Sequence, residues 1–195
     1  MLSSLRSVAA ACAAAAPLAL LLAGAAPAAA APSALPDIAH VPWASPNATV
    51  VIDPGLGARA VTAAHVFTYI DRAIGVAPQL RFRRAAGYLT AGAAADHVQT
   101  VRIGDPGPGH LAFTMRYVTP AGVVHTDTIV RPGLPALGPS SFTRVLAHEA
   151  EMSVGVGECT DPGAVCFWTF GTALPLLDAT DRVRLAAVRA HIEHR

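Results

Sequence analysis

Five residues in one short stretch have the types and spacing to do chemistry. They are His148, Glu149, Met152, Gly155 and Glu158, in the pattern His-Glu-x-x-Met-x-x-Gly-x-x-Glu. Imidazole and carboxylate are ligands for zinc, and a carboxylate beside a metal-bound water is a general base. His148 and Met152 are four apart, so on a helix they stand one turn above each other. A thioether carries no charge, so Met152 reads as packing that fills space rather than as a ligand. Gly155 ends the helix. Taken alone, a His-Glu pair describes an ordinary amphipathic helix with a polar surface as readily as it describes a site.

Other residues of the right types lie further off. Cys159 and Cys166 are an even pair with six residues between them, which reads as a local disulfide if the protein is exported and as two free thiols if it is not. His97, His110 and His125 can reach the stretch only if a loop folds over it. Each alone reads as a surface or hydrogen-bonded histidine. Glu149, on a partly buried face, needs a donor, solvent or a proton of its own. An arginine is one candidate donor.

The elements that must position these groups follow from apolar periodicity. Thr49 to Ile52 is β-branched and predicts a strand, closed by a turn at Asp53-Pro54-Gly55. Between residues 58 and 74, Val61, Ala64, Phe67, Ile70 and Ile74 recur at helical spacing, and Gly75 stops the run. Residues 79–83 alternate Leu80 and Phe82 with Arg81 and Arg83, a half-buried strand. Residues 86–95 are loop-like, 98–103 form another strand, and 105–109 form a loop. Residues 111–118 and 123–130 flank Thr119-Pro120-Ala121-Gly122 as a β-hairpin. Ser140 or Ser141 is placed to cap the helix that carries His148, with Phe142, Val145, Leu146, Glu149 and Met152 on one side of it. A last helix covers about 179–191. Strand, helix, several strands, helix, irregular loop and helix describe an α+β domain with a mostly antiparallel or mixed sheet covered by helices.

The central stretch resembles the zinc-binding helix of the metzincin peptidases, H-E-x-x-H-x-x-G-x-x-H. The resemblance implies that His148 is the first zinc ligand and Glu149 the general base. It places Met152 at the second ligand position, Gly155 at the turn and Glu158 at the third ligand position. Downstream, Thr160 to Cys166 looks like the methionine turn of the matrixin-like branch, with Cys166 where the methionine sits. Pro175-Leu176-Leu177-Asp178-Ala179-Thr180-Asp181 is similar to the start of that branch's last helix. The resemblance spans roughly residues 47 to 192 and implies a zincin-like fold. With Met152 and Glu158 in place of two histidines, it leaves His148 and Glu158 as the two candidate ligands where catalytic zinc uses three protein ligands. A Cys159–Cys166 bridge would replace part of the tie that zinc supplies. It would contribute about 2–3 kcal/mol, against about 10 kcal/mol from a structural zinc.

Composition bounds the rest. The chain has 195 residues with 14 Lys and Arg, every one an arginine, against 13 Asp and Glu. No basic run exists, so no nucleic-acid partner is expected. Residues 1–31 combine a short Arg6-bearing start, an apolar run and an Ala-rich end, the three parts of a secretory signal peptide. A retained membrane anchor is the rival reading. Residues 32–46 read as an extended lead-in and 47–195 as the domain. Arg-rich, Lys-free composition fits a bacterial protein, secreted or in the cell envelope and off the membrane once the signal is cleaved. Three functions are then expected to compete. One is an inactive, cofactor-free metallopeptidase-like domain that binds a peptide or protein in its old cleft. The second is a zinc endopeptidase with an altered ligand set. The third is a structural envelope protein.

Overall fold

The β-branched hexapeptide Asn47–Ile52 forms β1, and the chain then turns where expected. Asp53 accepts a hydrogen bond from the Gly55 N–H at 2.7 Å, starting a short 3-10 helix, Pro54–Arg59. Helix α1 follows at Ala60–Ala73. It ends in a Schellman motif: Gly75 takes φ +80°, its N–H bonds to Arg72 O, and the Val76 N–H bonds to Asp71 O, so orphan carbonyls of the last turn find donors. The computed structural model describes residues 43–84, 97–158, 164–165 and 177–194. The signal-peptide reading, residues 32–42 of the lead-in, and both Cys159 and Cys166 lie outside these residues.

Four more strands complete the sheet: β2 at Ala77–Phe82, β3 at Val98–Ile103, β4 at Ala112–Thr119 and β5 at Gly122–Val130. Helix α2 is Pro139–Ser153 and α3 is Ala179–Glu193. The strand order is β2-β1-β3-β5-β4. The pairs β1–β2, β1–β3 and β3–β5 are parallel, and only the β4–β5 hairpin is antiparallel. The sheet is therefore mixed, and the mostly antiparallel alternative is set aside. The expected hairpin forms, but α1 carries the chain back so that β2 runs beside β1 in the same direction, as helical crossovers do.

Helix α1 packs on β1 and β2, and α2 on β4, β5 and α1. Between these helices and the sheet lies one apolar cluster that includes Val50, Ile52, Phe67, Ile70, Val101, Phe142, Val145 and Leu146. Trp43 belongs to it too: its neighbour Ala44 donates to Val123 O at 2.9 Å, so the end of the lead-in is built into the fold. Three local expectations are corrected. Val61 is 56 % exposed rather than on the apolar face of α1. Strand β2 is exposed almost throughout rather than half-buried, because it lies at the sheet margin with no neighbour on its outer side among the described residues. Helix α2 has no serine cap: Gly138 holds the N-cap position with Pro139 next to it, where a missing N–H costs nothing. Among the described residues no helix is long and apolar enough to cross a membrane.

Candidate functional site

Helix α2 carries His148 and Glu149, and both are buried. Its C-terminus has the form that Gly155 requires. Gly155 takes φ +98°, its N–H bonds to Met152 O, and the Val156 N–H bonds to Glu151 O at 3.0 Å. This is a second Schellman ending. An L-side chain at that φ would bring Cβ against the following carbonyl, so the glycine read from the pattern is also the residue the backbone needs.

His148 is held from behind. Its Nδ1 lies 2.8 Å from the carbonyl oxygen of Val165. A carbonyl only accepts, so Nδ1 carries a proton and donates it to Val165. Val165 is in turn fixed from its other side. Its N–H donates to both carboxylate oxygens of Asp181, at 2.9 and 3.0 Å. Arg144 on α2 donates to the carbonyl of the preceding residue, Ala164, at 3.2 Å. The peptide beneath the helix is thus tied to α2 and α3 together.

Asp181 is placed by the start of α3. Asp178 accepts from the Asp181 N–H at 2.9 Å, and the Asp181 carboxylate accepts from the Asp178 N–H at 3.0 Å. This reciprocal capping box was legible as Asp-x-x-Asp in the sequence, although the bond to Val165 was not. Fully buried Glu151 lies near this cluster. Burial pushes its carboxyl well above the ordinary value, the charges of Asp181 and Asp178 push the same way, and Arg184 opposes them.

Glu149 finds its donor on β4. The Thr114 hydroxyl donates to Glu149 Oε2 at 2.6 Å, and Thr114 Oγ1 lies 2.8 Å from Thr128 Oγ1 on β5. The partner is a threonine across the sheet and not an arginine. Burial raises the Glu149 carboxyl above its ordinary value. The Thr114 bond and the charges of His148 and His110 pull it down, and Glu158 pushes it up.

Of the three outlying histidines, the fold brings His110 within electrostatic reach of Glu149. His97 instead stands edge-on to Trp43, ring centres 6.2 Å apart. His125 is buried in β5 with its ring 5.3 Å from that of Tyr117. Met152 is half-buried and outside the core cluster, so it does not fill the space as a core residue. Glu158 is exposed. No group of three or more His, Cys, Asp or Glu side chains is placed to hold a metal ion among the described residues. An imidazole, a neutral thioether and an exposed carboxylate do not make the three-ligand set of a catalytic zinc. Among the described residues the donors do not by themselves complete that set, and no step is derived through a metal.

No family model matches the chain, and no curated protein matches it. Among solved structures, the chain is similar to the crystal structure of archaemetzincin from Methanopyrus kandleri at 1.5 Å resolution. The identity is 15 %, the match covers 76 % of this chain and 95 % of that one, and the TM-score is 0.43.

Proposed function

We propose that the chain is a secreted, metzincin-type domain of the matrixin-like branch that no longer hydrolyses peptides and instead binds an extended peptide or protein segment between α2 and β4. The observation that carries this reading is the Thr114–Glu149 hydrogen bond. A general base must be ionised and face the attacking water. Here one of its oxygens is taken by Thr114 on the neighbouring strand.

The same bond sets the helix against the sheet margin. Among the described residues, strand β4 is the last strand of the sheet. The Arg131 N–H bonds to Leu111 O, so Phe113, Met115 and Tyr117 continue the bonded positions toward β5, while Thr114 and Arg116 turn their main-chain groups outward. An extended peptide can add there as a further strand.

The test uses protein purified without chelators. Elemental analysis is expected to find zinc far below one equivalent, with no hydrolysis of fluorescein-labelled casein. An extended casein-derived peptide is expected to bind, and Arg116→Pro, which removes an outward N–H, to weaken that binding. Stoichiometric zinc together with hydrolysis abolished by Glu149→Gln would overturn the proposal in favour of an altered zinc endopeptidase. No binding and no hydrolysis would leave the structural envelope protein.

A further inference from the structure

The opposite margin of the sheet carries a second surface, unrelated to α2. In β2, the Ala77 N–H bonds to Pro46 O at 2.8 Å and, just beyond, the Arg83 N–H bonds to Ile52 O at 3.2 Å. Odd-numbered residues therefore face β1. The main-chain groups of Pro78, Leu80 and Phe82 point away from the sheet, because direction alternates along a strand. Pro78 has no N–H to offer, which leaves Leu80 and Phe82 with outward N–H and C=O groups. No strand pairs with them among the described residues.

The side chains on this margin are sorted by face. Leu80 and Phe82 stand in register with Val50 and Ile52, on the face that carries the helices, and are 40 % and 51 % exposed. Arg81 stands in register with Val51, on the other face, and Arg83 shares its parity. Gln79 to Arg84 are exposed without a break. Between Asp71, which is buried, and Arg84 there is no acidic residue to offset Arg72, Arg81, Arg83 and Arg84.

We infer that β2 is a docking strand for a partner segment that is extended and alternates apolar with acidic residues. A strand added beside β2 places alternate side chains against Leu80 and Phe82 and the others against Arg81 and Arg83. Apolar residues suit the first set and carboxylates the second. A second copy of this chain is a poor occupant, since pairing β2 with itself gathers the arginines of both copies along one seam with no acid between them. The charges that guard an exposed edge against its own kind become attractive toward an acidic strand.

The test is fluorescence anisotropy on the full secreted chain with a labelled, capped Gly-Val-Glu-Val-Glu-Val-Glu-Gly peptide. Saturable binding is expected. A peptide of the same composition in the order Val-Val-Val-Glu-Glu-Glu and one with Lys for Glu are each expected to bind at least tenfold more weakly. Arg81→Glu with Arg83→Glu is expected to reverse the preference between the Glu and Lys peptides. Phe82→Pro is expected to weaken binding through the lost N–H, and Glu149→Gln to leave it unchanged. All these positions except Glu149 are exposed, and circular dichroism of each variant confirms that it is folded before binding is read. Equal binding of the block and alternating peptides would overturn the proposal in favour of a diffuse basic patch. No binding of any peptide would show that the arginines serve only to guard the edge.

Discussion

Thr114 Oγ1 on β4 lies 2.6 Å from Glu149 Oε2 on α2, joining residues 35 positions apart in the chain. This bond gives a carboxyl group buried between a helix and a sheet a hydroxyl donor. Thr114→Val keeps the shape of the side chain and removes the donor. It is expected to lower stability by about 1–3 kcal/mol, the cost of a buried polar group left without a partner, read from urea unfolding.

The same carboxyl predicts a pH dependence. Burial, the largest cause, raises it above its ordinary 4.5. A group with a raised folded-state value contributes stability that is full below the unfolded value and is lost as pH rises through the folded one. Glu149→Gln removes that titration. The variant is expected to lose less stability than the parent between pH 4 and pH 8, measured by denaturant midpoints at both.

Asp71 gives a larger effect of the same sign. It is buried in α1 and accepts from Gln99 Nε2 at 2.7 Å, and burial lifts its carboxyl from 3.8 to about 7 against that bond. Its contribution is complete below pH 3.8 and gone above about pH 7. It amounts to on the order of 4 kcal/mol. Asp71→Asn is expected to flatten the stability profile across this window. An unchanged slope would mean that Asp71 is ionised in the folded protein.

Gly155 at φ +98° predicts that Gly155→Ala costs about 1–2 kcal/mol, the penalty of an L-side chain in the left-handed region. Gly157→Ala, whose added Cβ meets nothing within 4 Å, is the control and is expected to change stability little. Thermal unfolding of the two variants separates the backbone effect from a general intolerance of change at this helix end.

Asp181 predicts a link between α3 and His148. Its carboxylate holds the Val165 N–H while the Val165 carbonyl holds His148 Nδ1. Asp181→Ala is expected to cost about 3 kcal/mol, since it removes charge-assisted bonds. It should also broaden or shift the Nδ1–H resonance of His148 in proton NMR. An unmoved His148 signal in a folded variant would show that the Val165 peptide is held by other contacts.

Much of this protein is written locally. The β-branched run of β1, the apolar spacing of α1 and α2, the Thr119–Gly122 hairpin and the two glycine helix ends all depend on neighbours a few residues apart, and all form where that spacing puts them. The Ser140 or Ser141 cap failed at the same local level, because Pro139 fits the first helical position without needing one.

What only the tertiary structure decided are the pairings between distant segments. The parallel direction of β1, β2, β3 and β5, the choice of Thr114 rather than an arginine for Glu149, the approach of His110 and not His97 or His125, and the Val165 peptide shared by His148 and Asp181 leave no trace in local periodicity. Periodicity records which face of an element is buried. It does not record which other buried face will meet it, because that is settled by how the apolar faces of all the elements close on one core. The helix ending at Gly155 was determined by its own residues, whereas the partners that engage His148 and Glu149 were determined by the packing of the rest of the chain around them.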